Sequence, residues 1–413
     1  MTNNIITDNL GRPEVLEKIY RDSPEKFESL LQESITHNAE SETLRVWYAR
    51  LSYSPSISVQ KISITLLVAL CLAAGFLAKL STIFSFDDQW YYPRFIPLVV
   101  VGTLICYFLI TTVSSAKTRN LLLAVIIGCV VYILVLPRVD GSASITMALI
   151  HLPLFYLSLL AVSFMNDGWN RVEERLNFIR YIGEMFIYSV LVLLGGVVLT
   201  AITLGLFSLI DISIESWYMN YIVVWGLVSA PLVATYLFDS IQSRQSKFAP
   251  ILSNVFSPLF LITVIAYLVA AIYQGKSPFS DRDFLIIFNG LLLIILALTI
   301  FSVAGKKTAA SIQVSDYINV ALIGATLLVN IIALVAILFR WMEYGITVNR
   351  IVVAGANILI FVHLMLLLTH YVNHLRGTAG INRLEAAIAG YLPVYTAWSL
   401  VVAVVLPLVF WFQ

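Results

Sequence analysis

Charge is scarce in this chain. Asp, Glu, Lys and Arg make up 12% of its 413 residues, about half the share in an ordinary soluble domain. So few charges cannot clothe a water-facing surface, which excludes a water-soluble globule. Cysteine is scarce too: Cys71, Cys106 and Cys129 all sit in apolar stretches. An odd number there argues against a disulfide framework and a thiolate metal site. Net charge is only +1, so no general basic field exists for nucleic acid. No phosphate-binding glycine loop, H-E-x-x-H pair or G-x-S-x-G elbow occurs. That speaks against familiar ATPases, metalloproteases and serine hydrolases. No cofactor and no metal are expected.

What is abundant is apolar sequence: 60% hydrophobic residues and a mean hydropathy of +0.90. The predicted fold class is all-α, a polytopic transmembrane helical bundle behind a small helical head. Residues 1–58 form the expected soluble head and 59–413 the membrane domain. A crossing helix needs roughly 20 apolar residues. Eleven candidates lie at about 62–80, 95–113, 121–136, 145–164, 181–210, 221–239, 251–272, 284–304, 318–340, 351–371 and 387–411. The stretch 121–136 is short and could instead be re-entrant, which would flip every later orientation. No cleavable leader is evident in MTNNIITDNLGRPEVLEKIY, so the first apolar helix is expected to act as an uncleaved anchor.

The head reads as three amphipathic helices. Pro13 opens the first, with Val15, Leu16 and Ile19 on one face. Ser23 and Pro24 open the second, with Phe27, Leu30, Leu31 and Ile35. Leu44, Trp47, Tyr48 and Leu51 stripe the third. Placing this head in the cytoplasm puts 18 Lys and Arg on its side of the membrane and 7 on the other. The positive-inside bias therefore favours eleven spans with the C-terminus outside. Aromatic clusters at Trp90–Tyr92, at Trp217, Tyr218 and Tyr221, at Trp341 and Tyr344, and at Trp411 fall at the outer ends, as an interfacial belt would.

Two segments depart from plain spans. Asn166–Trp169 leads into Arg171, Glu173, Glu174, Arg175 and Arg180, with Val172, Leu176 and Ile179 opposite. This predicts an interfacial helix over 165–180. The fifth span carries Gly195 and Gly196 at its centre. They imply either a close helix crossing in a tilted helix or a broken helix lining a cavity.

Polar groups at membrane depth are costly and are candidates by default. Glu184 pairs with Arg180 one turn away, or serves as a proton-coupling acid. Asn254, Asn289, Asn330 and Asn357 read as interhelical hydrogen-bond partners, and His151 and Pro153 share the fourth span. His363, His370 and His374 share one face of the tenth span. They read as packing groups at the interface, a proton or substrate relay, or a metal pair lacking a carboxylate. The outer loop Arg340–Arg350 gathers Arg340, Glu343, Tyr344 and Arg350, groups suited to head groups or anions. Gly345 suits a helix C-cap there and Thr347 an N-cap.

The stretch R-W-M-E-Y-G-I-T-V-N-R-I-V-V-A-G-A-N, Arg340 to Asn357, resembles the DUF4153-like family of bacterial multispan proteins. The likeness rests on Tyr344, Gly345, Ile346, Thr347, Asn349 and Arg350. The head is similar through L-E-K-I-Y-R at Leu16 to Arg21, Phe27, and W-Y-A-R-L at Trp47 to Leu51. The resemblance implies a multi-pass protein of the bacterial inner membrane and transfers no catalytic residue. The expected partners are the lipid bilayer, a small solute and a protein partner of the head. The expected function is a permease or carrier for a small or amphipathic solute. The alternative is a non-transporting scaffold or sensor acting through the head. A third, weaker reading is a lipid-modifying enzyme using the outer loop.

Overall fold

The computed structural model describes residues 5–23, 27, 30–31, 33–35, 38, 40–52, 63–139, 141–242, 248–274, 282–306 and 312–413. The described residues are helical, with no strand among them. The chain divides into two compact units, Met1–Val59 and Gln60–Gln413.

The first unit holds α1 (Pro13–Asp22) and α2 (Glu42–Ser52). Leu16, Phe27, Leu31, Leu44 and Trp47 close over Ile6 as its core. Of the expected stripes, Leu16, Phe27, Leu31, Leu44 and Trp47 are buried, while Val15 and Tyr48 are exposed. The helix expected from Ser23 and Pro24 falls partly outside the described residues. Arg50 stacks over the Trp47 ring at 4.7 Å and reaches Glu17 at 2.9 Å.

In the second unit, ten helices among the described residues are long and apolar enough to cross a bilayer. They are built on α5 (Asp88–Thr111), α6 (Ala116–Val135), α7 (Ala143–Met165), α8 (Val172–Ser208), α9 (Val224–Gln242, entered through Glu215–Tyr218 and a π turn) and α10 (Phe248–Gln274). Then follow α11 (Arg282–Ala304), α12 (Val314–Tyr344), α13 (Val348–Leu375) and α14 (Ile381–Leu400). A π turn, Val401–Val405, and the short α15 (Leu406–Val409) extend the last of them.

The first expected span is different. It is α3 (Ile64–Ala78), 15 residues and ~22 Å long at 1.5 Å per residue, short of the ~30 Å hydrocarbon. It stops at Lys79, and α4 (Leu80–Phe84) adds one more turn before the left-handed Ser85. Lys79 is buried, its ammonium 5.1 Å from the Tyr221 ring centroid. By contrast, the stretch 121–136 falls, up to its C-cap Leu136, in α6, a continuous 20-residue helix of crossing length.

Contacts between turns sort into two ends. At one, Arg138 pairs with Asp87, Ser142 donates to the Phe412 carbonyl, and the Ser144 amide donates to Gln413. At the other, Ser115 and Thr118 hydroxyls gather on Asp167 at 2.7 and 2.6 Å. Alternating helices from Asp87 to Gln413 return the chain to the end where it started, as ten crossings require.

The interfacial helix expected over 165–180 is not a separate element. Val172–Ser208 is one uninterrupted helix of 37 residues. No proline divides it, and Leu176 and Ile179 are buried against α11, α13 and α14 rather than turned to lipid. Both expectations for Gly195 and Gly196 also fall. The helix is unbroken there, and among the described residues no neighbouring atom lies within 4 Å of where a Cβ would stand. Close glycine packing occurs elsewhere. A Cβ on Gly355 would meet the Trp398 ring, and one on Gly75 the Trp225 ring.

Proline removes a backbone donor and frees the carbonyl four residues earlier. In two places a distant side chain takes up that carbonyl. Pro407 frees Ala403, and the Tyr132 hydroxyl donates to Ala403 O at 2.6 Å. Pro393 frees Ala389, and Arg175 Nη1 donates to it at 3.1 Å. The π turn at Val401–Val405 sits where the ladder is interrupted. Tyr132→Phe is therefore expected to destabilise the purified protein by about 1–3 kcal/mol, the cost of an unmet buried carbonyl. Thermal unfolding in detergent measures it, and an unchanged midpoint would refute this account of the π turn.

Candidate functional site: a buried polar seam

The polar side chains buried between α11, α12 and α13 form one seam. It begins just past the end of α11, where Lys306 pairs with Asp316 in the first turn of α12. Asp316 is fully buried and Lys306 is 11% exposed. The second Asp316 oxygen accepts the Gln313 amide at 3.0 Å, closing a capping box on α12. The Lys306 ammonium lies 5.9 Å from the Tyr371 ring centroid. Burial pushes the Lys306 amine down to about 8, and the Asp316 carboxylate opposes that push.

One turn on, Asn319 Nδ2 donates to Ser302 at 2.7 Å and to the Tyr371 hydroxyl at 3.3 Å. Three amides meet farther along. Asn357 Nδ2 donates to Asn289 Oδ1 and to the Val353 carbonyl, both at 2.8 Å. Asn330 Nδ2 donates to the Asn357 carbonyl at 3.2 Å. Backbone acceptors thus fix which way Asn330 and Asn357 point. Their Oδ1 atoms, with that of Asn319, are buried without a hydrogen-bond partner among the described residues. Asp316, Asn319 and Asn330 are spaced by 3 and 11, which keeps them on one face of α12. The interhelical role expected for Asn289, Asn330 and Asn357 matches these bonds. Asn254 differs: it is exposed on α10.

The histidine row stands on a neighbouring face of α13. His363 is 1% exposed. Its ring stacks on Tyr391 at 4.2 Å and 13°, and Nδ1 lies 2.8 Å from the Tyr395 hydroxyl. His363 Nε2 and His370 Nδ1 are buried without a partner among the described residues. His374 Nδ1 faces the Ala379 carbonyl at 3.2 Å. Among the described residues no three His, Cys, Asp or Glu gather as metal ligands.

Glu184 does something the sequence did not suggest. Its Oε1 accepts the backbone amides of Phe248 and Ala249, at 2.6 and 3.0 Å. Those are donors at the start of α10, left without intrahelical acceptors. Arg180, the expected partner, instead donates to the Ala304 carbonyl at 2.5 Å and to Asn177 at 3.0 Å. A fully buried carboxylate on α8 therefore caps α10 from 64 residues away.

In the outer loop, Gly345 ends α12 with φ +75°, a left-handed position suited to glycine. Arg350 Nη1 donates to the carbonyls of Tyr344 and Gly345, and its guanidinium lies 5.7 Å from the Tyr344 ring centroid. That arginine holds the turn together. Thr347 occupies the N-cap of α13 but makes no side-chain capping bond. Glu343 is exposed beside it, and Arg340 is the last basic residue of α12.

The missed members of the site are Lys306, Ser302, Asp316, Asn319 and Tyr371. A signal existed in the pattern Asp316, Asn319, Asn330 on one face of an apolar helix. Compared with known proteins, the chain matches no family model, no curated protein and no solved structure.

Proposed function

We propose that this is a permease-like carrier of the bacterial inner (plasma) membrane, handling a small or amphipathic solute along the seam between α11, α12 and α13. In this reading α3 and α4 together make an eleventh crossing, so the head is cytoplasmic and the C-terminus lies outside. Membership of the DUF4153-like family belongs to the same reading, resting on the stretch Arg340 to Asn357 and on the head segments Leu16 to Arg21 and Trp47 to Leu51. The observation that carries it is the row of buried amide oxygens on Asn319, Asn330 and Asn357 that meet no donor among the described residues. Unmet polar atoms in a bilayer interior are expensive. A passing solute with hydrogen-bond donors would satisfy them in turn. The test follows uptake and efflux of a panel of small solutes in cells making the chain or its Asn330→Leu, Asn357→Leu variant. Solute flux lost in the variant, with ligand-dependent stabilisation of the purified wild type, supports the carrier. Identical solute pools in both and no stabilising ligand would remove it.

The second reading, a scaffold or sensor, draws on the head having its own core in Met1–Val59. Crosslinking from the head that captures no stable protein partner would count against it.

A further inference from the structure

Four of the five histidines, His151, His363, His370 and His374, lie on α7 and α13. Both helices pack on α14. The fifth, His37, belongs to the N-terminal unit. On α7, Met147 packs against the group formed by Val348, Val352, Val402 and Leu406. One turn on, His151 shares that face, its Nδ1 2.9 Å from the Met147 carbonyl. Two turns farther, the Ser158 hydroxyl meets Thr396 of α14 at 2.8 Å. Next to Thr396 is Tyr395, whose hydroxyl holds His363 Nδ1. From His363, one face of α13 carries His370 and His374 toward the Asp167 end. The exchangeable groups thus share one interface, with two direct links, Ser158–Thr396 and His363–Tyr395, and with Tyr395 and Thr396 adjacent in sequence.

We propose that this α7–α13–α14 interface is a proton path, with His363 as its mid-membrane carrier. The inference rests on the carrier reading and gives it a path for protons that conducts without solute. With Nδ1–H donating to Tyr395 Oη, the His363 Nε2 lone pair is the unmet atom. A proton arriving from the His370 side bonds to Nε2. The Nδ1–H bond then breaks toward Tyr395 Oη as that hydroxyl releases its own proton toward Thr396 and Ser158. One proton enters, one leaves, and no charge stays behind; rotation of the imidazole restores the first tautomer. Steps between histidines seven residues apart cover ~10 Å, and Tyr395 makes no direct hydrogen bond to Thr396 among the described residues, so the path requires chains of water molecules at these gaps. The titratable groups facing His363 are Tyr391 and Tyr395 of α14. Arg175 of α8 reaches the same helix at Ala389, while Lys306 and Asp316 pack on Tyr371, on the neighbouring face of α13.

The test uses the full-length protein in phosphatidylethanolamine and phosphatidylglycerol vesicles containing a pH-sensitive dye. A potassium gradient with valinomycin drives protons inward. Wild-type flux is expected at least tenfold above protein-free vesicles. His363→Phe should return it to that background, and Tyr395→Phe should lower it at least fivefold. Cys106→Ser, on an exposed face of α5, should leave it unchanged. Where His363→Phe fails to fold, His363→Asn and Tyr395→Phe decide the matter. Wild-type flux at background, or full flux in the His363 and Tyr395 variants, overturns the path. Solute transport that persists without proton flux would leave the carrier reading standing and remove this inference alone.

Discussion

Asp316→Ala is expected to destabilise the protein by about 3–5 kcal/mol, the cost of stranding one member of a buried ion pair. The Lys306 ammonium would lose its carboxylate while still lying against the Tyr371 ring, 11% exposed. Burial already pushes that amine down, and removing Asp316 takes away the charge that opposes this push. The capping box at Gln313 disappears in the same change. A double replacement, Lys306→Met with Asp316→Leu, removes both charges and should recover most of the loss. Thermal unfolding in detergent of the single and double variants separates the cases. If the double variant were as unstable as Asp316→Ala, the charge-stranding account would be wrong.

Glu184→Leu should cost about 3 kcal/mol or more. Hydrogen bonds to a charged acceptor contribute about 1.5–3 kcal/mol each, and Glu184 accepts two from the first amides of α10. The negative charge also opposes the positive end of that helix. Glu184→Gln keeps an acceptor oxygen and should lose less than half as much. Protease accessibility at Phe248 to Pro250 gives a local readout: cleavage should rise in Glu184→Leu before global unfolding. Equal stability of the two variants would show that the carboxylate does not hold α10.

The crossing helices were legible because their signal is compositional. A run of twenty apolar residues needs no knowledge of its neighbours, and ten of the eleven expected runs became helices of crossing length. The first did not, since Lys79 stops its helix at 15 residues and the rest of the apolar run becomes a separate turn. The charged lead-in to α8 was misread because periodicity does not tell an apolar stripe facing lipid from one facing other helices. Only packing decides, and Leu176 and Ile179 face protein. Of the seam, the mid-span asparagines were readable as costly polar groups at depth. Asp316 was passed over because it lay two residues outside the expected apolar run. The Glu184 cap was unreadable for a different reason. Its partners are backbone amides, which carry no residue signature, and Arg180 offered a nearer explanation.

The length of α8 places a demand on the lipid beside it. From Tyr181 to Ser208 the helix still runs 28 residues, or ~42 Å, against ~30 Å of hydrocarbon. Fitting it by leaning alone would need an inclination of about 45°, beyond the usual 0–40°. Its most apolar stretch has no buried residue to share the mismatch with a neighbour. Local thickening of the lipid along that flank would relieve the mismatch, and the protein is expected to partition into the thicker of two coexisting bilayers.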